Sequence, residues 1–180
     1  PQKPWDEHAA ELKAYNELFQ QMHGRQAPRP YVAGWVTCDK DPAKAEAMAR
    51  EYIVGYWNSV VKHYEMSSDH FSTTKGYEYY KRLNETIEEV GVDGMAQFFM
   101  DLQVWGTPEQ CIERIRAIHE KTDCCGFTGI FSFAGMPHAM AKENMALFAK
   151  EVMPELRNMG HSPAFDMEEG ESLSFVASAG

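Results

Sequence analysis

Apolar side chains recur at two different spacings along the chain, and the changes of spacing mark the predicted elements. Segments 31–37 and 127–133 are short apolar runs rich in aromatic and β-branched residues, which is typical of buried strands. A third, very short strand is predicted to end at Val104–Trp105. Apolar residues at helical spacing predict a helix over residues 5–23, before the first strand, and a helix after each strand.

Start signals mark the helices that follow the first two strands. Asp41 and Thr107 are N-cap residues, each is followed by a proline at the first helical position, and Gln110 completes a capping box with Thr107. These signals predict one long helix from Asp41 to about residue 64 and another over residues 107–119. A last helix is predicted over residues 136–156.

Residues 65–102 interrupt this alternation and are predicted to form a helical insertion between a helix and the next strand. Residues 76–90 carry a helical apolar face, Gly91 is predicted to end that helix, and residues 94–102 are interpreted as a short helix. Excursions of this kind commonly build the mouth of a site in α/β proteins.

The order of helix and then three strand–helix units predicts an α/β fold with a parallel sheet. Three units do not close a barrel, because a complete eight-unit barrel takes about 250 residues. The pattern therefore predicts either a small open α/β layer or the C-terminal portion of a TIM barrel whose first strands are absent. We assign the domain to residues 1–160 and interpret residues 161–180 as a C-terminal tail.

The charge balance narrows the classes of partner. The formal net charge is −10, which argues against a nucleic-acid or anionic-membrane partner, since either would need a basic face. No apolar run approaches the roughly 20 residues needed to cross a bilayer. The four cysteines are not arranged as a disulfide framework, so a reduced, cytoplasmic protein is the expectation.

Three stretches carry a resemblance to a known family. Residues 106–115 read Gly-Thr-Pro-Glu-Gln-Cys-Ile-Glu-Arg-Ile, residues 132–138 read Ser-Phe-Ala-Gly-Met-Pro-His, and residues 147–156 read Leu-Phe-Ala-Lys-Glu-Val-Met-Pro-Glu-Leu. Together they resemble the C-terminal end of the bacterial-luciferase-like flavin monooxygenases. The resemblance covers about residues 5–158.

The resemblance implies a TIM barrel with an insertion before its seventh strand, in which the strands of this chain would be the sixth, seventh and eighth. Members use reduced FMN or a deazaflavin, often supplied by a separate reductase, to oxidise a small organic substrate with O₂. Much of the flavin contact in the family comes from the N-terminal half. The resemblance therefore implies that this chain alone does not contain a complete flavin site.

In a parallel barrel the site lies at the carboxyl ends of the strands. His138, at the start of the last helix, could hydrogen-bond to flavin or substrate; the alternative is an ordinary solvent-facing residue of a first helical turn. Gly135 and the amides after it could receive an anion, although a plain loop that needs a flexible residue is the favoured interpretation. The residues proposed to contact the cofactor are Trp105, Gly106, Ser132 and Gly135.

Polar and aromatic side chains also cluster where the long helix meets the insertion. This cluster could belong to a substrate site or lid, or it could be an ordinary helix end and loop. A metal site would need a third ligand at motif spacing, so no metal is predicted. His70 is proposed as a second hydrogen-bonding group, and the proposed substrate contacts are His63, Tyr64 and Phe71.

The predicted function is that of a flavin-dependent monooxygenase, of which this chain is the C-terminal part, with O₂, a small organic substrate and a flavin reductase as partners. The alternative is a relative that binds flavin or another ligand without turnover. A fragment without any site is the third hypothesis. An exposed sheet edge would need covering, so a homo-oligomer is expected.

Overall fold

The computed structural model describes residues 2–65, residue 75 and residues 78–159. His70, Phe71, most of residues 66–77 in the predicted insertion, and the predicted tail lie outside the described residues. The described elements are α1 (Trp5–His23), β1 (Tyr31–Cys38), α2 (Pro42–Met48), a π-helical segment (Ala49–Ile53), α3 (Val54–His63), α4 (Glu78–Asp101), β2 (Val104–Gly106), α5 (Pro108–Thr122), β3 (Gly126–Ile130), α6 (His138–Glu151) and α7 (Met153–Arg157).

The three strands form one parallel sheet in the order β2-β1-β3. β1 pairs with β3 through residues 31–35 and with β2 through residues 36–38. The prediction of an α/β fold with a parallel sheet is therefore confirmed. The order differs from that of three consecutive barrel strands, in which the second strand along the chain would lie in the middle.

Helices cover both faces of the sheet because the chain reverses direction. The connection from β1 to β2 runs one way, and the connection from β2 to β3 passes back across β1, so right-handed crossovers place their helices on opposite faces. Trp57 of α3 packs in a cluster with Trp35 of β1 on the first face. Ile115 of α5 and Phe148 of α6 pack around Val36 on the second face.

Most predicted helix ends are confirmed by local geometry. Thr107 and Gln110 form the capping box, and Gly24 ends α1 with a left-handed φ of 67°. Gly91 interrupts α4 with φ 78° and ψ 164°, as expected from its position in the sequence. None of the described helices is both long and apolar enough to span a membrane.

Two boundaries differ from the sequence prediction. The last strand ends at Ile130, earlier than predicted, because the chain turns toward α6. The single helix predicted over residues 136–156 is broken at Val152 into α6 and α7. Pro154 explains the break, since it has no amide hydrogen and its ring clashes with the carbonyl four residues before it.

The apolar stripe of α1 is present but is not buried by the described part of the chain. No residue of α1 is buried, and Tyr15 and Met22 are 52% and 70% exposed. The helix is attached at its first turn, where Trp5 Nε1 donates to the Leu102 carbonyl at 3.1 Å. An apolar helix face is thus left without a partner among these residues.

A buried amide side chain completes β1 on the side of β2. β2 begins only at Val104 and pairs with the carboxyl half of β1. Just before it, Gln103 is 1% exposed; its Oε1 accepts from the Trp35 amide at 3.3 Å and its Nε2 donates to the Phe99 carbonyl at 3.2 Å. Gln103 therefore supplies the hydrogen-bond acceptor for the Trp35 amide, which lies before the point where β2 begins to pair with β1.

Candidate functional site

The strand order places a switch point between β1 and β3. In open α/β sheets, ligands bind at such a point, outside the carboxyl ends of the strands. The structure has a crevice of about 270 Å³ there, between the end of β1, α2 and α6. Its lining residues are Cys38, Asp39, Lys40, Lys44, Met48, Met140, Glu143, Asn144 and Leu147.

Asn144 of α6 forms the inner wall of this crevice. β3 pairs with the amino half of β1 only, so the carboxyl half has no strand on that side among the described residues. Asn144 is 2% exposed; its Nδ2 donates to the Val36 carbonyl at 2.7 Å, and its Oδ1 accepts from the Cys38 amide at 2.9 Å. One carboxamide thus replaces a strand and fixes the gap between β1 and α6.

The charges at the mouth of the crevice are balanced. Lys44 Nζ lies 2.6 Å from Asp39 Oδ2, and Lys40 Nζ lies 2.7 Å from Glu151 Oε1. Partial burial opposes ionisation of Asp39, but hydrogen bonds from Lys44 and from the Asp41 amide together hold its pKa below the ordinary value. The hydrogen bond to Asp39 raises the pKa of Lys44. Because each lysine already has a carboxylate partner, the mouth offers no strong anion site.

The two thiols beneath the crevice are not exposed nucleophiles. Cys38 and Cys111 are 1% and 0% exposed, and both are free thiols. A hydrogen bond between them lowers the pKa of Cys38 and raises that of Cys111. Cys111 Sγ is also 3.7 Å from the Gly106 carbonyl. Their burial confirms the interpretation of both residues as small core side chains.

Trp105 and Gly106 lie at the carboxyl end of β2 but are engaged in local structure. Trp105 Nε1 donates to the Met100 carbonyl at 3.1 Å, and the Arg114 guanidinium carbon lies 4.3 Å from the indole centroid. Gly106 has φ 130°, and a Cβ there would lie 2.8 Å from Gln110 Cβ. The capping side chain therefore occupies the space beside Gly106 that a ligand would need.

Ser132, Gly135 and His138 lie along the connection from β3 to α6, and all three are exposed. Ala134 and Gly135 have φ values of 51° and 75°, and the Met136 amide donates to the Phe133 carbonyl at 2.9 Å. This geometry is a type I′ turn. Gly135 is thus explained by its turn conformation, and His138 begins α6 facing solvent.

The other predicted contacts lie at the end of α3. The rings of His63 and Tyr64 meet edge-on with centroids 5.0 Å apart, and Tyr64 is 53% exposed. Neither residue lines the crevice. His70 and Phe71 lie outside the described residues. No group of three or more potential metal ligands occurs in the described ranges.

The structure therefore brings only some of the predicted residues to one place. Gly106 adjoins the crevice, since its carbonyl accepts from the Asp39 amide at 3.2 Å. His138 begins the helix that supplies Asn144. Sequence reasoning missed Asn144 itself; the available signal was a polar residue at helical spacing between Ala141 and Phe148, the apolar positions of α6.

The amino-acid sequence of the chain matches a protein-family model. The model described as luciferase-like monooxygenase matches residues 1–123. The chain belongs to this family. The resemblance that residues 106–115 carry is thereby confirmed. A comparison with curated protein sequences gave no significant match.

Solved structures of two monooxygenases share the fold. One is the oxygenating constituent of 3,6-diketocamphane monooxygenase from Pseudomonas putida, a type II Baeyer-Villiger monooxygenase, in complex with FMN. It is 20% identical in sequence with a TM-score of 0.55, and the comparison covers 82% of this chain and 40% of that one. Another is the monooxygenase RslO1 from Streptomyces bottropensis, with 14% identity, a TM-score of 0.50, and coverage of 86% and 39%. The chain thus spans about two fifths of the length of these enzymes.

The crevice at the end of β1 does not by itself fit a whole FMN. The crevice, at about 270 Å³, is smaller than the roughly 300–1,000 Å³ of typical ligand pockets. The lysines at its mouth are paired with carboxylates, which leaves no cation ready for a phosphate. The crevice at the edge of the sheet is therefore open and does not enclose a ligand of that size.

Proposed function

We propose that this chain forms part of a flavin-dependent monooxygenase that oxidises a small organic substrate with O₂ and reduced FMN. The supporting observation is the family match over residues 1–123, in a fold whose crevice lies at the switch point between β1 and β3. Ligands of open α/β sheets bind at that position. In this proposal the chain supplies the wall of the site at the carboxyl ends of its strands.

The roles predicted for the site residues are kept in this proposal, with His63 and Tyr64 acting outside the crevice, which they do not line. His138 is exposed at the start of α6, where its imidazole can hydrogen-bond to a flavin or substrate held over the sheet edge. His70 is proposed for the same task, and Ser132 and Gly135 offer polar groups from the adjoining loop. His63, Tyr64 and Phe71 are proposed to contact the substrate, and Trp105 and Gly106 to support the floor.

Three finer points belong to the same proposal. By their order along the chain, the strands are proposed to correspond to the sixth, seventh and eighth strands of a barrel, although the observed pairing order β2-β1-β3 departs from that of a barrel. A separate reductase is proposed to supply the reduced flavin, and a deazaflavin is the alternative cofactor. Because the described residues do not enclose a flavin, turnover by the chain requires further walls.

A flavin titration of the 180-residue chain tests the proposal. Tryptophan fluorescence would be followed as oxidised FMN, and then reduced FMN without oxygen, is added up to about 1 mM, which corresponds to about −4 kcal/mol of binding free energy. Saturable quenching supports the proposed wall, and His138→Ala should weaken it. Lys142→Ala, at another exposed position of α6, is the matched control.

The alternative outcomes separate the hypotheses. No quenching by either redox form, from a chain whose circular dichroism shows that it is folded, would contradict a flavin contact on these residues. Binding that is equal for wild type and the His138 variant would remove His138 from the site. Oxygen consumption by the chain, when reductase and a panel of small ketones are supplied, would contradict the non-catalytic alternative.

A homo-oligomer is also proposed, and one observation favours it. The apolar face of α1 carries Tyr15, Leu18 and Met22, which are 52%, 55% and 70% exposed. Tyr31, at the start of β1, is 73% exposed. Apolar side chains in such a group commonly mark an interface, and a second copy could bury this face by packing α1 against its own α1.

A further inference from the structure

Two cysteines from different elements meet beneath the crevice. Cys38 is the last residue of β1 and lies opposite Gly106 of β2 in the strand register. Cys111 lies in the first turn of α5, and its Sγ is 3.7 Å from the carbonyl oxygen of the same Gly106. Both side chains belong to one buried cluster, and their thiols hydrogen-bond to each other. The fold therefore holds in contact two sulfur atoms that are far apart along the chain.

We propose that Cys38 and Cys111 form a peroxide-sensitive dithiol, which hydrogen peroxide entering through the crevice converts to an internal disulfide. Both residues are free thiols in the structure, so the reduced pair is the starting state. Disulfides that form in a reducing compartment are usually transient and serve catalysis or redox sensing. The proposal does not depend on the flavin chemistry proposed above.

Cys38 is the member of the pair that an oxidant reaches first. It lines the crevice, whereas Cys111 is 0% exposed. The crevice, at about 270 Å³, is several times larger than the roughly 30 Å³ that a water molecule takes in the liquid, so hydrogen peroxide fits in it. Because Cys38 is only 1% exposed, bulky thiol reagents should react with it slowly. Burial thus favours a small, neutral oxidant.

The hydrogen bond between the two thiols gives them different roles. It lowers the pKa of Cys38, which favours the nucleophilic thiolate on the residue that lines the crevice. It raises the pKa of Cys111, which therefore keeps its proton. In the first step the Cys38 thiolate attacks one oxygen of hydrogen peroxide and the O–O bond breaks. The departing hydroxide takes up the proton that Cys38 released, which leaves a sulfenic acid on Cys38 and one water.

Cys111 completes the reaction in the second step. Its sulfur attacks the sulfur of the sulfenic acid, the S–O bond breaks, and the hydroxyl group leaves as water with the proton of Cys111. The two thiols are oxidised by two electrons, and one hydrogen peroxide is reduced to two waters. The disulfide would join the end of β1 to α5. Since the Cys38 amide donates to Asn144 Oδ1, this link would tie the inner wall of the crevice to α5.

The other two cysteines provide an internal comparison. Cys124 and Cys125 follow the carboxyl end of α5, so they are about 20 Å from Cys111 along the helix. Burial raises the pKa of Cys124, which opposes formation of its thiolate. Cys125 Sγ lies 3.5 Å from the Pro30 carbonyl oxygen. A bridge from either residue to Cys111 would exceed the reach of a disulfide.

Peptide mapping of the full chain after peroxide treatment tests the proposal. The folded wild type is treated with a small molar excess of hydrogen peroxide, then unfolded, alkylated and digested with trypsin. We expect the loss of two of the four alkylatable thiols and a reducible cross-link between the peptides 26–40 and 83–114. Because the reaction lies within one chain, its rate should not change with protein concentration.

Variants separate the roles of the two residues. Cys111→Ser should stop the reaction at the sulfenic acid of Cys38, which dimedone traps. The matched control, Cys124→Ser/Cys125→Ser, should form the same cross-link as the wild type. Cys111 is buried, so circular dichroism must show that its variant is folded. The peptide map of the wild type decides the proposal without any variant.

Four results would overturn the proposal. One is retention of all four thiols by the folded wild type under conditions that oxidise the urea-unfolded chain. Another is a cross-link that forms as fast in the unfolded chain, which would show that the fold does not direct it. A third is a cross-link that joins two chains. The fourth is sulfinic acid on Cys38 without the cross-link, which would show that Cys111 does not react with the sulfenic acid.

Discussion

Asn144 is the residue whose replacement tests the description of the crevice most directly. Its carboxamide donates to the Val36 carbonyl and accepts from the Cys38 amide, and all three groups are buried. Asn144→Ala leaves one buried donor and one buried acceptor without partners. Each unsatisfied group costs about 1–3 kcal/mol, so the variant should lose about 2–5 kcal/mol of unfolding free energy.

Urea denaturation followed by tryptophan fluorescence measures this loss, since it is a large fraction of the roughly 5–15 kcal/mol of a typical domain. Asn58→Ala on α3 is the control, because Asn58 is exposed. Its effect should stay within about 0.5 kcal/mol. A loss below about 1 kcal/mol for Asn144→Ala would refute the account of this side chain as a substitute strand.

Asn144→Asp gives the same test a pH signature. A protonated carboxyl group can donate to the Val36 carbonyl and accept from the Cys38 amide, as the carboxamide does. A carboxylate cannot donate, and burial disfavours its charge, so the folded pKa of the introduced group rises above its unfolded value of about 3.9. The variant should therefore match wild type near pH 4 and become progressively less stable than wild type as pH rises. A difference from wild type that does not change with pH would contradict the hydrogen-bond geometry.

Three further predictions concern other parts of the molecule. Gly106→Ala should lose about 2 kcal/mol or more in urea denaturation, since φ is 130° and the new Cβ meets Gln110. Adding Gln110→Ala should restore only part of the steric loss, because the Cβ of residue 110, 2.8 Å from the new Cβ, remains. Because the folded pKa of Asp39 is lowered, its contribution to stability is complete above about pH 4 and is lost as pH falls through the folded pKa. Lys44→Met removes the partner of Asp39, so the loss of stability at acid pH should be smaller in thermal melts of this variant. Leu18→Glu, on the exposed face of α1, should lower the mass measured by light scattering if α1 forms the oligomer interface, and an unchanged mass would exclude that interface.

The sequence was most informative where structure is decided locally. The capping box of α5, the cap at Asp41 and the interruption at Gly91 each depend on residues within one helical turn, and all are observed. The break at Val152 was missed because the apolar pattern continues through Pro154. In that case backbone chemistry overrides the pattern.

The strand order and the crevice depend on contacts between distant residues, which the pattern of one chain does not encode. β1 is the middle strand, and its hydrogen bonding is completed by Gln103 and Asn144, which lie 68 and 108 residues from their partners Trp35 and Val36. A buried amide looks like any polar residue in the sequence. Trp105 and Gly106, which were proposed from a strand end, lie at the carboxyl edge of the sheet, but they contact Arg114 and Gln110.

The divided pairing of β1 has a consequence for how the protein opens. Its amino half is held by β3 and its carboxyl half by β2, and no residue of β1 pairs with strands on both sides within the described ranges. The two halves of β1 thus belong to different pairs of strands, and the amide hydrogens of each half can exchange with solvent through a separate local opening. Fluctuations that separate α6 from the end of β1 would widen the crevice while the β3 half stays intact, so access to the crevice is governed by a local rather than a global unfolding free energy.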